Sequence, residues 1–227
     1  MEKYPETATE RFDDASFHIN YCLRFLTKYF KGDILEVGAG CGSFTKFYYK
    51  KFESITLTEV DNKNFLDLKK IFSEKKNISI SNESIEFLSK KFDTIMYLHV
   101  LEHIENDKKE LQNAISKLNP DGYLVIMVPA HQKIYSKLDK AVGHYRRYEK
   151  EFFTENLLGL NRVKLISLDA IGYFLYLLNK IFFKEEVFPS KLKIFLWDKI
   201  FTPITFIVDF LLMYKFGKCY VAIYQKP

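Results

Sequence analysis

DILEVGAGCGSFTKFY, residues 33–48, is the stretch on which the reading of this chain turns. A mostly apolar run, Ile34-Leu35-Glu36-Val37, meets three alternating glycines, Gly38, Gly40 and Gly42, and a helix-like segment follows at 43–50. Glycine reaches positive φ without strain and carries no Cβ, so a strand that turns here lets a ligand touch its backbone. The segments around the turn set the frame in which that ligand is sought.

Strand-like and helix-like segments alternate on both sides. Upstream, Asp13 or Asp14 is placed to cap a helix to about Phe30, with Phe17, Tyr21, Cys22, Phe25 and Tyr29 at helical spacing. Downstream the pattern predicts a strand at 54–58, a helix at 63–72 and strands at 78–81 and 92–98. Asp107 and Glu110 read as a capping box opening a helix to Leu118, and Asn119-Pro120-Asp121-Gly122 as a turn. A fully apolar strand at 123–128, a helix at 151–160 and strands at 163–168 and 218–225 complete the reading. Short connections between alternating elements predict an α/β fold, a parallel Rossmann-like sheet with helices on both faces. In such sheets ligands lie beyond the carboxyl ends of the strands, where the glycines fall.

Length and composition bound the rest. The 227 residues fit one domain over 1–227, with an N-terminal helical cap at 1–32 and a helical, aromatic insertion at 174–217. The net charge of +5 is spread along the chain and does not imply a nucleic-acid partner. Three scattered cysteines form no C-x-x-C pair, which points to a reducing, cytoplasmic setting and to no metal site. The N-terminus lacks an apolar h-region, so no signal peptide is expected. The longest candidate span, 200–214, contains Pro203 and Asp209, so a transmembrane helix is not expected either.

The glycine spacing is G-x-G-x-G, and Ser43 stands where a dinucleotide fingerprint has its third glycine. With Glu36 two residues ahead of Gly38, the turn resembles the first motif of class I S-adenosylmethionine-dependent methyltransferases. A carboxylate there suits a cationic sulfonium and ammonium. Glu59, closing the second strand, is placed to accept both ribose hydroxyls, and Asp61 to start the next helix. Residues 92–104, with Leu98 ahead of Leu101-Glu102-His103, resemble the fourth-strand motif of the same superfamily. The matches cover 33–128. The resemblance implies a seven-stranded methyltransferase sheet with a final antiparallel strand at 218–225. It implies cofactor contacts from Glu36, Gly38, Gly40, Gly42, Glu59, Asn82 and Leu98; the adenine position is shared in the alignment between Asn82 and Glu83.

After the fifth strand come Pro129-Ala130-His131 and Gly143-His144-Tyr145-Arg146-Arg147-Tyr148. This segment resembles a bacterial methyltransferase subgroup associated with glycan and cell-envelope genes. His131 and His144 are the candidate general bases, because imidazole titrates near neutrality. Tyr145, Arg146, Arg147 and Tyr148 are the candidate acceptor-binding residues, one arginine holding an anionic group and the other bracing the loop. His99, Glu102 and His103 fall nearby as supporting groups, and His18 reads as structural.

In the insertion, Ser190 is placed to cap a helix at 191–201, and Thr202 with Pro203 to start another ending near Gly217. The second is apolar almost all round except at Asp209. That predicts burial against the domain, a second subunit or lipid. The expected function is methyl transfer from S-adenosylmethionine, with S-adenosylhomocysteine as product, to oxygen or nitrogen of a small or glycan- or lipid-linked acceptor, in envelope or surface-glycan synthesis. A homodimer and peripheral contact with the inner membrane fit the aromatic insertion. The alternatives are a nicotinamide-dependent oxidoreductase, against which Ser43 argues, and a non-catalytic protein that binds S-adenosylmethionine.

Overall fold

The computed structural model describes residues 15–182 and 188–227. Five parallel strands come first: β1 (Asp33–Val37), β2 (Ser54–Thr58), β3 (Ile78–Ser81), β4 (Phe92–Leu98) and β5 (Leu118–Pro129). They are joined by the helices α2 (Thr45–Tyr48), α3 (Asn62–Phe72) and α4 (Asp107–Ser116), while α1 (Ser16–Leu26) precedes β1. The remaining strands are β6 (Asn156–Leu157), β7 (Leu160–Leu168) and β8 (Cys219–Gln225). The sheet order is β3-β2-β1-β4-β5-β8-β7-β6, with β8 antiparallel to both neighbours.

The central strands are buried on both faces, as their near-continuous apolar runs require. Alternation divides them between two cores. Ile34, Ile55, Leu57, Met96, Val125 and Ile223 pack on one side, and Leu35, Ile95, Tyr97, Leu124, Ile126 and Tyr224 on the other.

The final antiparallel strand stands as expected, but the sheet has eight strands rather than seven. The eighth, β6, lies where the sequence predicts a helix at 151–160. Only a short 3₁₀ turn, Lys150–Phe152, forms there. Leu158 and Gly159 have φ of 51° and 90°, and a two-residue turn with both φ positive matches the twist of a hairpin. Asn119–Gly122 is not a turn between elements. It bulges out within β5, whose register with β4 jumps from Leu118 opposite Phe92 to Tyr123 opposite Thr94.

Two caps also differ from expectation. The cap of α4 is Asn106, whose side chain accepts from the Lys109 amide at 3.1 Å, and Asp107 is the first helical residue. The caps foreseen for α1 at Asp13 or Asp14 lie outside the described residues. Within them, the carboxylate of the distant Asp198 receives the Phe17 and His18 amides at 3.3 and 2.8 Å.

Between β7 and β8 lie α6 (Ala170–Phe182), α7 (Lys191–Leu196) and α8 (Thr202–Leu211), with α5 (Lys137–Ala141) in the loop after β5. Ser190 caps α7 as predicted. The expected break at Thr202 is absent: a π-helical turn, Trp197–Phe201, carries α7 into α8, and Thr202 Oγ1 donates to the Trp197 carbonyl at 3.1 Å.

Of the partners expected to bury α8, the domain, a second subunit or lipid, the domain covers only one side of the helix. Asp209, the one charge, is wholly buried, whereas Ile207, Phe210 and Leu211 are 60%, 64% and 72% exposed. The carboxylate explains the inversion. It accepts the Asp169 and Ala170 amides at 2.6 and 2.9 Å, capping α6, and the Tyr21 hydroxyl of α1 at 2.6 Å. Two elements converge on it, so its side of the helix faces inward.

Candidate functional site

The chain leaves the carboxyl edge of the sheet through residues that few side chains tolerate. Gly38, Gly40 and Gly42 after β1 have φ of 63°, 57° and 81°, and His99 after β4 and His131 after β5 have 60° and 66°. Such conformations outside glycine persist only where the surroundings fix them. A cavity of about 1790 Å³ opens along this edge. It exceeds the ~300–1,000 Å³ of a site for one drug-sized ligand and leaves room for two.

The glycines are not equivalent. A Cβ on Gly40 would meet nothing within 4 Å. On Gly38 it would stand 2.8 Å from a Val100 methyl, and on Gly42 2.4 Å from the Phe72 ring of α3. Gly40 therefore presents bare backbone to the cavity. Gly42 allows β1 and α3 to approach and is not part of the cavity wall, so its expected ligand contact is replaced by a packing role.

Two carboxylates flank this cradle. Glu36 is buried, and its Oε2 accepts the Thr45 and Tyr48 hydroxyls at 2.6 and 2.5 Å. Burial pushes its pKa up to about 7, against the pull of those two hydroxyls. Glu59 receives the Gly40 amide on Oε2 at 2.8 Å and the Asp61 amide on Oε1 at 2.9 Å, so it locks the glycine turn to the start of α3. Burial raises its pKa too, opposed by these amides. Asp61 caps α3 through the Asn64 amide at 3.0 Å, as the sequence predicted. Leu98, at the end of β4, lines the cavity. At the third strand the wall is made by Glu83, Ser84 and Ile85, and Asn82 is not in it.

The other end of the cavity is polar. Glu102, from the turn after β4, is wholly buried. His99 Nδ1 lies 3.3 Å from its Oε1, and Oε2 has no hydrogen-bond partner among the described residues. His144 arrives from the loop after α5, with Nδ1 2.9 Å from Asp139 Oδ1 and Nε2 4.0 Å from Glu102 Oε1. Asp139 is itself buried. It also receives Arg147 Nε at 2.8 Å and the Tyr176 hydroxyl at 2.5 Å, and its pKa sits well below the carboxylate range despite a burial penalty. His103 packs edge-to-face on His144 with ring centres 4.6 Å apart.

The predicted acceptor-binding run separates in space. His144 and Arg147 line the cavity, whereas His131, Tyr145, Arg146 and Tyr148 do not. His131 lies among Tyr173, Phe216 and Tyr220, with Nε2 3.0 Å from the Gly217 carbonyl oxygen. Tyr148 is core, its hydroxyl donating to Asp107 at 2.8 Å. Arg146 pairs with the same Asp107 at 2.7 Å and with the Glu105 carbonyl. Tyr145 is half exposed and meets the site only through its amide, which donates to the Glu102 carbonyl at 2.8 Å. Both arginines thus brace the loop. Sequence reasoning missed Asp139 and Tyr176 as parts of the site, because only the fold brings them to His144.

Comparison with known proteins adds a family. A family model described as a methyltransferase domain matches residues 15–160. The reducing polyketide synthase BOA6 of Botryotinia fuckeliana (strain B05.10) is 28% identical over 112 residues, 44% of this chain but only 5% of that synthase. The chain therefore corresponds to a small part of that relative. Among solved structures, the N-methyltransferase NodS of Bradyrhizobium japonicum WM9, in complex with S-adenosyl-L-homocysteine, superposes with a TM-score of 0.63 at 17% identity, covering 100% of this chain and 93% of that one. The [4+2]-cyclase SpnF superposes at 0.59 with 13% identity over 92% and 80% of the two chains. At these identities the likeness is one of fold, and the fold hosts more than one chemistry.

Proposed function

Since the chain belongs to the methyltransferase-domain family, we propose that it transfers a methyl group from S-adenosylmethionine to an oxygen or nitrogen of an acceptor bound at the Glu102–His144 end of its cavity. The observation that carries this reading is the Gly40 cradle, bare backbone between Glu36 and Glu59 with open cavity above it. The residues fit the group. The Gly38–Gly40 backbone would receive the methionine part, Glu36 its ammonium, Glu59 the ribose hydroxyls, and Leu98 with the 83–85 segment the adenine. Bound there, S-adenosylmethionine supplies an electrophilic methyl carbon on a cationic sulfur.

The chain's task is positioning and proton removal. Holding the acceptor atom in line with the methyl accounts for much of the rate. A hydroxyl or ammonium acceptor must also lose a proton, and His144 is the base the geometry favours over His131. Asp139 fixes its Nδ1 as the proton-bearing nitrogen, which leaves Nε2 towards Glu102 and the cavity. Arg147 and Tyr176 hold Asp139 in turn.

The acceptor carries an apolar or lipid-linked part. On α6, Phe174, Leu178, Ile181 and Phe182 are exposed at helical spacing, and so are Ile200, Ile204, Ile207 and Leu211 on the π turn and α8. Leu178 belongs both to this apolar face and to the cavity wall, so the face adjoins the site. Patches of this kind mark interaction surfaces. No helix among the described residues is long and apolar enough to cross a membrane, and a peripheral face for a lipid-linked glycan acceptor at the inner membrane fits both facts.

Calorimetry with S-adenosylhomocysteine and NADH tests the cofactor: micromolar-range binding of the first supports the reading, and preference for NADH refutes it. With an acceptor in hand, His144→Ala should lower kcat by ~10²–10⁴ while His131→Ala leaves it near the parent value. Flotation with anionic liposomes tests the apolar face. A chain that stays with the aqueous fraction, and is monomeric by light scattering, removes the membrane part of the proposal.

A further inference from the structure

From the side chains gathered at the acceptor end we infer that Glu102, His103 and His144 form a binding site for a divalent first-row transition cation. The inference deepens the reading of this end as the acceptor site, and rests on it for the role of the ion but not for its binding. The site has no local signature in the chain. The three residues match no metal-ligand spacing, and His144 lies in a loop separated from Glu102 by α4 and β5.

Three observations carry the inference. First, one ligand atom from each of the three residues lies within 4.8 Å of the others. Ligands at ~2.0–2.2 Å from one tetrahedral ion stand roughly 3.3–3.6 Å apart, so the cluster has to close by about an ångström, within reach of side-chain rotation. Second, Glu102 is wholly buried, yet its Oε2 has no hydrogen-bond partner among the described residues. A carboxylate oxygen without a donor in a buried place is costly, and a cation is the partner that removes the cost. Third, the cluster already has the outer support that metal-binding histidines show. Asp139 Oδ1 holds His144 Nδ1 at 2.9 Å, which orients Nε2 inward, and Arg147 and Tyr176 hold Asp139.

The donor set names the class of ion. Two imidazoles and one carboxylate favour zinc, manganese, iron or cobalt over magnesium or calcium, which prefer all-oxygen shells. Three protein ligands leave positions open, as in catalytic rather than structural sites. All three residues line the cavity, so an open position faces the acceptor. An acceptor hydroxyl or amine coordinated there would lose its proton more readily, because the ion stabilises the deprotonated form. His144 would then act through the ion, and the proton would leave to solvent through the cavity.

The test reads the ion directly. Chelator-treated full-length protein is titrated with Zn²⁺ and, separately, Co²⁺, followed by calorimetry and by the visible spectrum of the cobalt form. The expected result is one equivalent bound with a spectrum free of thiolate charge-transfer bands. Glu102→Gln and His144→Ala should each weaken binding at least a hundredfold. Asp139→Asn, which leaves the ligands in place, should weaken it about tenfold to a hundredfold. Circular dichroism and S-adenosylhomocysteine affinity are measured on the same preparations, so that a misfolded variant is recognised; His103→Ala replaces any variant that fails to fold. No bound ion in the parent, or an equivalent that survives Glu102→Gln, overturns the site. Loss of the ion with intact S-adenosylhomocysteine binding leaves the methyltransferase reading standing. Failure of S-adenosylhomocysteine to bind at all removes that reading and with it the role of the ion, whatever the metal result.

Discussion

Glu36 makes cofactor binding sensitive to pH, and the size of the effect follows from its surroundings. The carboxyl group is buried and its pKa is raised from 4.5 to about 7. A ligand ammonium binds the ionised form. At pH 6 roughly a tenth of the free protein carries that form and at pH 8 roughly nine tenths, so the affinity for S-adenosylhomocysteine should rise about tenfold between them, or ~1.4 kcal/mol. Calorimetry in buffers of different ionisation enthalpy should show close to one proton released per ligand at pH 6 and almost none at pH 8.

The stability of the free protein should move the other way. The folded state holds this proton up to about pH 7, while the unfolded chain gives it up near 4.5. The contribution is therefore fully present below pH 4.5 and is lost as pH rises towards 7, about 3 kcal/mol in all. Glu36→Gln retains an oxygen for Thr45 and Tyr48 and abolishes both effects. The variant is needed because Glu59 lines the same cavity and burial raises its pKa too. A flat affinity in the parent, or a tenfold rise that persists in Glu36→Gln, would refute the assignment of Glu36 to the ammonium.

The glycines should separate by phenotype. Gly40→Val should abolish S-adenosylhomocysteine binding measured by calorimetry, whereas Gly42→Ala, whose Cβ would meet Phe72, should cost ~1–3 kcal/mol of stability in urea melts. Glu59→Ala should lose ~2–4 kcal/mol of S-adenosylhomocysteine binding, through its hydrogen bonds to the ligand and through release of the Gly40 amide. Asp209→Ala should destabilise the fold by ~3–5 kcal/mol in the same melts, since Tyr21 and two amides lose their acceptor. Ile207→Lys on the opposite side of that helix should stay within ~0.5 kcal/mol of the parent.

Much of the cofactor end was legible in the chain because it is local. Gly38, Gly40, Glu36, Glu59 and Asp61 each sit at the end of a strand whose apolar run announces it, and the fold then brings those ends to one edge. The hairpin at Leu158-Gly159 was not legible. Leu158 is an unusual residue for positive φ, and Phe152, Phe153, Leu157 and Leu160 fit a helical stripe as well as a hairpin. The acceptor end was half legible. His144 and Arg147 could be named from their loop, but the choice between His131 and His144 depends on which way each strand exit turns. His131 is drawn into an aromatic cluster made by α6 and the start of β8, which no local pattern reveals.

The insertion shows why a charge on an apolar helix is ambiguous in sequence. One carboxylate among apolar residues can mark the solvent side of a buried helix, or the buried side of a helix whose apolar residues face outward. The choice depends on what the carboxylate finds inside. Asp209 finds two amides at the start of α6 and a tyrosine from α1, partners 39, 40 and 188 residues away. Asp198 does the same for the first turn of α1. Asp169 repeats it, taking the Gly172 amide at 2.8 Å, Trp197 Nε1 at 3.1 Å and Lys218 Nζ at 3.0 Å. Three buried carboxylates therefore anchor the insertion by polar contacts to helix starts, and of its apolar side chains Phe206 and Tyr214 pack on the core while many others do not. That leaves those others turned outward beside the cavity mouth, where Leu178 joins them to the acceptor end.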